Sequence, residues 1–330
     1  MKVIQVFRKR KQDFFSIEKV YQAVNQHLGS SIELEVVELG ASAASWKAIL
    51  SNWKQLRKMK ADVYHITGEV NYVSLFLPGN KTILTLHDCN FIRRSNGVKA
   101  YLLKLFWLTL PVKHCRKIIA ISQATKEDII RLTGCDAQKI EVIPNPVLEY
   151  FEPRPKPTAN NPFKILQVGT RWNKNLERVL DALDGLPVQL TILGKVTNEQ
   201  EEIISSRKLD LIYVSNLNEP QLVNLYQQSN LVMFASLSEG FGLPILEAQA
   251  TGTPVITSNL EPMCTVAGQG ALLVDPYDVS DIRKAVLLIS GDPSFADSLI
   301  EKGFENVEAY RSEAIAKKYE GIYKRVAEAS

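Results

Sequence analysis

Two glutamates eight residues apart flank a glycine-rich turn in the second half of the sequence. Glu239 precedes the turn, whose glycines are Gly240 and Gly242; Pro244 fits the first turn of a following helix, and Glu247 lies on that helix. Glycines let a backbone approach a ligand closely, and the unpaired N–H groups at a helix start bind anions without a metal. A pyrophosphate is therefore the expected ligand of this turn.

The two carboxylates suggest what is attached to that pyrophosphate. At the helix start, Gly242 and Leu243 would hold the phosphates through backbone N–H groups. Glu247 would then face sideways and accept hydrogen bonds from ribose hydroxyls, because a carboxylate facing the phosphates would compete with them for the same field. Glu239 would reach hydroxyls of a sugar beyond the phosphates. The pattern indicates a nucleotide sugar; the alternative is an ordinary helix preceded by a glycine turn and two solvated glutamates.

A second group of candidate residues follows the apolar run FKILQVG. Arg171 and Lys174 are cations three residues apart at the end of this strand, where they could neutralise a diphosphate; a solvated basic turn is the alternative. The sequence contains no Asp-x-Asp pair of the kind that holds a divalent metal against a diphosphate. We therefore expect these two cations and the helix dipole to stabilise the leaving group, with no metal and no cofactor.

The first half offers fewer candidate site residues, which lie at the ends of predicted strands or in the loop after the first strand. His87 and Asp88 end the run KTILTLHD, and His65 ends another run, where its ring could instead be buried and satisfied by backbone. A metal site formed by these residues with Cys89 lacks ligand spacing. The basic loop after the first strand begins with Arg8 and Lys9, and it also contains two phenylalanines. It could bind an anionic acceptor or touch a membrane, or be an exposed loop; His65, Arg8 and Lys9 are the candidates for acceptor binding.

These residues need a scaffold, and the sequence predicts an α/β one. Short β-branched runs alternate with helical patterns twice along the chain, which is typical of two doubly wound parallel sheets. Residues 146–162 contain the proline-rich stretch between them. We predict domains at residues 1–150 and 151–311, with a last helix over 312–330 that packs back onto the first domain. The two sheets are expected to face a crevice that holds the ligands.

Composition narrows the class of partner. The 330 residues include 39 Lys and Arg against 36 Asp and Glu, and a net charge of +3 argues against nucleic acid. The four cysteines have no metal or disulfide spacing. The N-terminal apolar run precedes basic residues, the reverse of a secretory signal, and no apolar run reaches about 18 residues. We expect a cytoplasmic protein, with peripheral contact at the inner membrane face if the apolar, basic-ended segment 99–117 lies on a bilayer rather than packing within its domain.

The pair Glu239 and Glu247, with GFGLP between them and ATGTPVI after them, closely resembles the retaining GT-B glycosyltransferases of family 4, the glycosyl transferases group 1. The resemblance implies a GT-B fold of two Rossmann-like domains. It implies that Arg171 and Lys174 bind the donor phosphates, that no metal is needed, and that His87 touches the donor sugar or the reacting face. His87 and Glu239 are accordingly the predicted catalytic residues.

The implied reaction is transfer of a hexose, such as mannose or glucose, from a GDP- or UDP-linked donor to a hydroxyl of a saccharide or lipid-linked acceptor, in polysaccharide or glycolipid assembly. Two alternatives stay open: a nucleotide-sugar epimerase, and a nucleotide-sugar binding protein that has lost catalysis. The sequence departs from the family pattern at the acceptor end. Its first loop, RKRKQDFFS, has no glycine, and Pro146 stands where a glycine is common.

Overall fold

The computed structural model describes residues 1–9, 16–40, 45–93, 97–153 and 162–329. The chain forms two compact units, Met1–Pro146 with Ser312–Ser330, and Val147–Arg311. The boundary lies after Pro146, four residues before the predicted one, and the last helix belongs to the first unit by its contacts. Residues 154–161 of the predicted linker lie outside the described residues.

The first unit contains a parallel sheet of six strands in the order β2-β1-β3-β4-β5-β6. Apolar, β-branched runs form the four central strands, which are buried on both faces, as expected when helices cover a parallel sheet on both sides. The order reverses between β1 and β3, which makes their carboxyl ends the ligand-binding position of this fold. The strands are β1 (Lys2–Phe7), β2 (Glu33–Glu38), β3 (Val63–Ile66), β4 (Thr82–Leu86), β5 (Lys117–Ala120) and β6 (Ile140–Val142).

Helices connect these strands, and three short 3₁₀ turns add to them at Asn71–Phe76, Gly79–Lys81 and Ala137–Lys139. A π-helical segment, Lys104–Thr109, joins two helices into one longer element. The helices of this unit are α1 (Ser16–Gln26), α2 (Trp46–Leu56), α3 (Asn90–Arg93), α4 (Gly97–Leu103), α5 (Leu110–His114), α6 (Gln123–Thr133) and α14 (Ser312–Glu328).

The last helix, α14, is held in the first unit by an apolar face and by buried tyrosines. Ile315, Ile322 and Val326 are each at most 1% exposed and belong to the same apolar cluster as residues of β1 and α1. Two tyrosine hydroxyls of α14 make hydrogen-bond contacts. The side chain of Gln5 donates to the Tyr323 hydroxyl (3.2 Å), and the hydroxyls of Tyr319 and Tyr21 lie 3.2 Å apart. The C-terminal segment therefore completes the core of the N-terminal unit.

The second unit repeats the plan with a parallel sheet in the order β12-β11-β10-β7-β8-β9, which reverses between β7 and β10. Its strands are β7 (Phe163–Val168), β8 (Val188–Leu193), β9 (Asp210–Val214), β10 (Leu231–Phe234), β11 (Val255–Ser258) and β12 (Leu272–Val274). Its helices are α7 (Leu176–Leu183), α8 (Asn198–Ser205), α9 (Glu219–Gln228), α10 (Leu243–Ala250), α11 (Met263–Ala267), α12 (Val279–Gly291) and α13 (Pro293–Glu308).

The predicted fold class, α/β with two doubly wound parallel sheets, is confirmed. Within the described part of the chain, no helix combines the length and the apolar character that crossing a bilayer requires.

Candidate functional site

The candidate site of the second unit lies where two loops leave neighbouring strands at the reversal point of its sheet. The β7 loop, residues 169–175, follows β7, and the β10 loop, residues 235–242, follows β10, which pairs directly with β7. All five predicted donor-phosphate and sugar residues lie in these loops or at the start of α10, the helix that follows. Open parallel sheets bind ligands at this position.

The start of α10 has the free backbone donors that the sequence predicts. Gly242 has a φ of +119°, and no side chain caps the helix. The N–H of Ile245 donates to the carbonyl of Gly242 at 3.0 Å, and Pro244 has no N–H. The N–H groups of Gly242 and Leu243 make no hydrogen bond with any described residue. Two donors at the positive end of a helix are thus open to an anion.

Glycine is required at position 242 for steric reasons as well. A Cβ there would lie 3.1 Å from Ile245 Cδ1, and the positive φ would strain any residue with a side chain. Gly169, at the start of the β7 loop, also has a positive φ (+89°), and a Cβ there would lie 3.0 Å from the Lys174 side chain. Both loops therefore depend on glycine for their shape. Gly242 lies beside the free N–H groups, and Gly169 lies against the Lys174 side chain.

Lys174 and Glu239, predicted separately, form an ion pair. The Nζ of Lys174 lies 2.6 Å from Glu239 Oε1 and 4.4 Å from the centre of the Phe234 ring. The two side chains are only 17% and 15% exposed. The lysine is held by packing, by charge and by the aromatic face, so its ammonium group is positioned before any ligand arrives.

Asn173 and Asn175 join the two loops, and the sequence interpretation missed both. The Nδ2 of Asn173 donates to the carbonyl of Ser238 (2.8 Å) and to Glu239 Oε1 (3.1 Å). Asn175 has a φ of +57°, and its Nδ2 donates to the carbonyls of Ala235 (3.1 Å) and Pro276 (2.6 Å). Asparagine tolerates this backbone conformation, and an Asn-Lys-Asn string after a strand was the available signal.

Glu247 points its carboxylate at a buried tyrosine. The hydroxyl of Tyr226 donates to Glu247 Oε2 at 2.6 Å, and Tyr226 is fully buried. Burial raises the pKa of Glu247 to about 7, while the Tyr226 hydrogen bond and the charge of Lys174 oppose that rise. The tyrosine fixes one oxygen and leaves the other for a ligand. Tyr226 was not predicted, because nothing in the sequence pairs α9 with α10.

Arg171 is exposed at the start of the 3₁₀ turn Trp172–Lys174. Its carbonyl accepts the N–H of Lys174 at 2.8 Å, which shapes the turn. Of the two predicted phosphate-binding cations, the structure therefore brings Lys174 into contact with Glu239 and leaves the side chain of Arg171 at the surface.

In the first unit, Arg8 follows β1, but it is not the open cation that the sequence predicts for the basic loop. Arg8 is 7% exposed and forms ion pairs with Glu18 of α1 (3.1 Å) and with Glu69, which follows β3. Burial lowers the pKa of Arg8, but the hydrogen bonds that its guanidinium donates to the two carboxylates outweigh this effect and raise the pKa overall. Two carboxylates thus neutralise Arg8, and its binding of an anionic acceptor stays a prediction that requires these ion pairs to open. Lys9 is exposed, and the remainder of the basic loop, residues 10–15, lies outside the described residues.

His87 lies after β4 and is held in one orientation. Its Nε2 donates to the carbonyl of Thr67 at 2.8 Å, so Nδ1 is the acceptor nitrogen of the neutral ring. The ring packs against Gly68, where a Cβ would lie 2.5 Å from His87 Cδ2. Burial lowers the pKa of His87, and the hydrogen bond to Thr67 and the nearby carboxylates only partly offset this. The ring is therefore neutral at pH 7, with one nitrogen left to accept a hydrogen bond.

His65, the third predicted acceptor residue, is a core residue. It is fully buried, with Nδ1 2.7 Å from the Tyr323 hydroxyl and Nε2 2.8 Å from Thr85 Oγ1. Burial lowers its pKa to about 3, and repulsion from His87 when that ring is protonated adds to the shift. Assigning His65 to acceptor binding is therefore wrong; its ring joins β3 and β4 to α14. Among the residues that the structure describes, no group of three or more His, Cys, Asp or Glu could hold a metal ion.

Comparison with known proteins relates both units to sugar-transferring enzymes. Residues 150–306 match the family model described as glycosyl transferases group 1, and residues 31–148 match the model described as Glycosyltransferase Family 4. The O-antigen chain mannosyltransferase RfbU of Salmonella typhimurium is 28% identical over 218 residues. The match covers 63% of this chain and 60% of the length of that protein.

Two further similarities extend over more of the chain. The UDP-Gal:alpha-D-GlcNAc-diphosphoundecaprenol alpha-1,3-galactosyltransferase of Escherichia coli is 27% identical over 279 residues, covering 74% of this chain and 70% of that protein. The crystal structure of a glycosyltransferase from Rickettsia africae ESF-5 aligns with a TM-score of 0.78 at 20% identity, covering 100% of this chain and 99% of that one. The structural similarity shows the GT-B fold, in which each unit is Rossmann-like.

Proposed function

The chain belongs to the glycosyl transferases group 1, within Glycosyltransferase Family 4, and on this basis we propose that it transfers a hexose from a nucleotide-diphosphate donor to an acceptor hydroxyl. The observation that carries the proposal is the pair of free N–H groups at Gly242 and Leu243 beside the Lys174–Glu239 ion pair. Together these groups supply donors for a diphosphate and a carboxylate for sugar hydroxyls.

Donor binding would change the partner of Lys174. The negatively charged β-phosphate replaces Glu239 as the acceptor of the ammonium group, and the carboxylate turns to hydroxyls of the hexose. The two N–H groups and Lys174 then face the oxygen on which negative charge develops as the bond to the anomeric carbon breaks. No step in this scheme requires a divalent metal.

The roles of the other site residues follow from which of their polar atoms can take up a ligand hydroxyl. Glu247 accepts a ribose hydroxyl on the oxygen that Tyr226 leaves open. His87, neutral and with Nδ1 free to accept, contacts a hydroxyl of the transferred sugar or of the acceptor. We assign Glu239 to positioning rather than to a covalent intermediate, because in this scheme the carboxylate that Lys174 releases accepts hydrogen bonds from hexose hydroxyls. Transfer with retention would then pass the acceptor proton to the departing phosphate as the new C–O bond forms on the same face.

The substrate class is narrowed by what the chain resembles. The relatives carry the names of a mannosyltransferase and of a galactosyltransferase with a diphosphoundecaprenol-linked acceptor. We therefore propose a hexose donor linked to GDP or UDP, and a saccharide or lipid-linked saccharide acceptor of polysaccharide or glycolipid assembly.

A donor screen tests the proposal. The purified protein is incubated with GDP and UDP in a thermal-shift assay, and with GDP-mannose, UDP-galactose or UDP-glucose in EDTA, with and without a saccharide acceptor. We expect one base to raise the melting temperature, since a ligand at 100 times its Kd stabilises by about 2.7 kcal/mol. We also expect sugar transfer only when acceptor is present.

Two outcomes would contradict this function. Isomerisation of the donor sugar at the same rate without acceptor would indicate an epimerase. Nucleotide binding without transfer or slow donor hydrolysis, over a panel of acceptors, would indicate a binding protein.

A further inference from the structure

The second unit begins with a short stretch of chain, residues 147–152, which we call the entry segment. The sequence predicts only a linker here, but the segment is fixed at both ends. The N–H of Val147 donates to the carbonyl of Tyr310 at 2.9 Å, and the Nε2 of Gln227 on α9 donates to the carbonyl of Glu152 at 2.6 Å. The side chains of the entry segment therefore have defined neighbours.

Aromatic rings connect the entry segment to Glu247, the carboxylate that we assign to the ribose. Phe151 is 1% exposed, and the centre of its ring lies 5.6 Å from the centre of the Tyr226 ring in an edge-to-face contact. Tyr226 in turn donates its hydroxyl hydrogen to Glu247 Oε2 at 2.6 Å. The centre of the Tyr150 ring lies 4.9 Å from that of Phe151. Tyr150 thus belongs to a row of packed rings that leads to the donor site.

Tyr150 is the member of this row whose hydroxyl is unused. Its side chain is half-buried, and its hydroxyl makes no hydrogen bond with any residue that the structure describes. Burial raises the pKa of Tyr150, and the negative charges of Glu219 and Glu247 raise the pKa further. These charges can act on the phenol only from nearby, since salt screens charges beyond about 10 Å. Tyr150 is therefore a neutral phenol close to the Glu247 carboxylate.

A ribose presents two neighbouring hydroxyls, at O2′ and O3′, and both need hydrogen-bond partners when the ligand is bound. Tyr226 occupies Oε2 of Glu247, so one carboxylate oxygen remains for the pair. A hydroxyl that loses water on binding and gains no hydrogen bond weakens the complex. The Tyr150 hydroxyl, unused and close to Glu247, can supply the second partner.

We propose that Tyr150 is a further nucleotide-binding residue, whose hydroxyl donates a hydrogen bond to one ribose oxygen while Glu247 accepts from the other hydroxyl. This assignment rests on the proposed function, and it names a determinant of specificity. A ribonucleotide makes both contacts, whereas a nucleotide that lacks a ribose hydroxyl makes one. A phenol suits this role because it can donate beside a carboxylate while carrying no charge of its own.

A packing role for Tyr150 is the alternative, and it leads to a different expectation. A ring that only covers Phe151 would keep that role as phenylalanine, and any disturbance would affect every nucleotide alike. A hydroxyl that contacts the ribose matters only to a nucleotide that carries the contacted group. The two roles can therefore be separated by combining one substitution with deoxy nucleotides.

Calorimetry with Tyr150→Phe provides this test. The full chain is titrated with GDP and UDP, and then with the 2′-deoxy and 3′-deoxy forms of the one that binds more tightly. We expect Tyr150→Phe to weaken ribonucleotide binding by about threefold to tenfold, the contribution of one neutral hydrogen bond. One of the two deoxy forms should bind the unchanged protein with a similar loss, and Tyr150→Phe should weaken its binding no further.

Tyr213→Phe is the matched control, because it removes an exposed phenol hydroxyl from the edge strand β9 of the same unit. It should bind every nucleotide as the unchanged protein does. An unchanged melting temperature without nucleotide shows that Tyr150→Phe is folded.

Two results would overturn the role of Tyr150 and leave the proposed function standing. One is a ribonucleotide affinity that Tyr150→Phe does not change, and the other is an equal loss for the ribonucleotide and both deoxy forms. If the unchanged protein bound neither GDP nor UDP, the proposed function and the role of Tyr150 would both be overturned.

Discussion

Replacing Glu239 with glutamine is expected to lower kcat by about a hundredfold or more, since small misplacements of a bound substrate cost that much. The nucleoside diphosphate should bind within about threefold of its normal affinity, because a mutation that acts on the reacting sugar leaves nucleotide contacts intact. In the structure the Glu239 carboxylate pairs with Lys174 at 2.6 Å. Removing the charge of Glu239 therefore frees the lysine for the phosphate and does not weaken phosphate binding. Steady-state kinetics with the donor found by screening, and calorimetry with the nucleotide alone, measure the two effects separately.

The matched control for this change is Glu199→Gln on α8, which removes an exposed carboxylate of the same unit. It should leave both kcat and nucleotide affinity unchanged. Equal, small effects of the Glu239 and Glu199 substitutions would contradict the assignment of Glu239 to the sugar. A loss of nucleotide affinity as large as the loss of kcat would instead assign Glu239 to the shape of the β10 loop.

Replacing Lys174 with methionine is expected to weaken nucleoside diphosphate binding by about tenfold to a hundredfold, the contribution of one charged hydrogen bond. It should also lower kcat, because the same ammonium group faces the charge that develops on the leaving phosphate. Methionine keeps an unbranched apolar stem over Gly169 and Phe234, so the change removes the charge with little loss of packing. Calorimetry in EDTA and turnover of the donor measure the two losses.

Lys208→Ala removes an exposed cation of the second unit that lies before β9, at the other end of the sheet. Its nucleotide affinity should equal that of the unchanged protein, which excludes a general effect of net charge. If Lys174→Met bound nucleotide as well as Lys208→Ala does, the cation would have no part in phosphate binding. Restoration of full binding by added divalent metal would contradict the metal-free scheme.

Much of the fold could be predicted because parallel strands are buried on both faces and appear as short apolar runs. The residues after β7 and β10 could be predicted for a related reason: strand ends beside a reversal of strand order are where such sheets bind ligands, and glycines mark close backbone approach. Glu239, Lys174 and Gly242 all follow the ends of these two strands, so they lie close together although 65 residues separate Lys174 from Glu239.

Arg8 and His65 show what sequence patterns could not supply. Each was given a role from its position at a strand end, but each is neutralised or satisfied by a remote residue. Arg8 pairs with Glu69, which follows β3 and is 61 residues away. His65 contacts Tyr323, which is 258 residues away. Local spacing carries no information on which distant side chain fills such a position, and α14 reaches His65 only in the folded chain.

The supporting residues were missed for a different reason. Asn173 and Tyr226 hold Glu239 and Glu247 by single hydrogen bonds of 3.1 and 2.6 Å. An asparagine in a turn and a tyrosine in a helix are common and have many roles, so residue type alone does not indicate these contacts. They become visible only when the two loops and α10 are seen side by side.

A crystal structure with the preferred nucleoside diphosphate bound tests the donor site most directly. We expect pyrophosphate oxygens about 2.7–3.1 Å from the N–H groups of Gly242 and Leu243. We also expect Lys174 Nζ to have moved from Glu239 to a phosphate oxygen. A nucleotide bound elsewhere, or one that leaves these N–H groups free and the Lys174–Glu239 pair intact, would contradict this assignment.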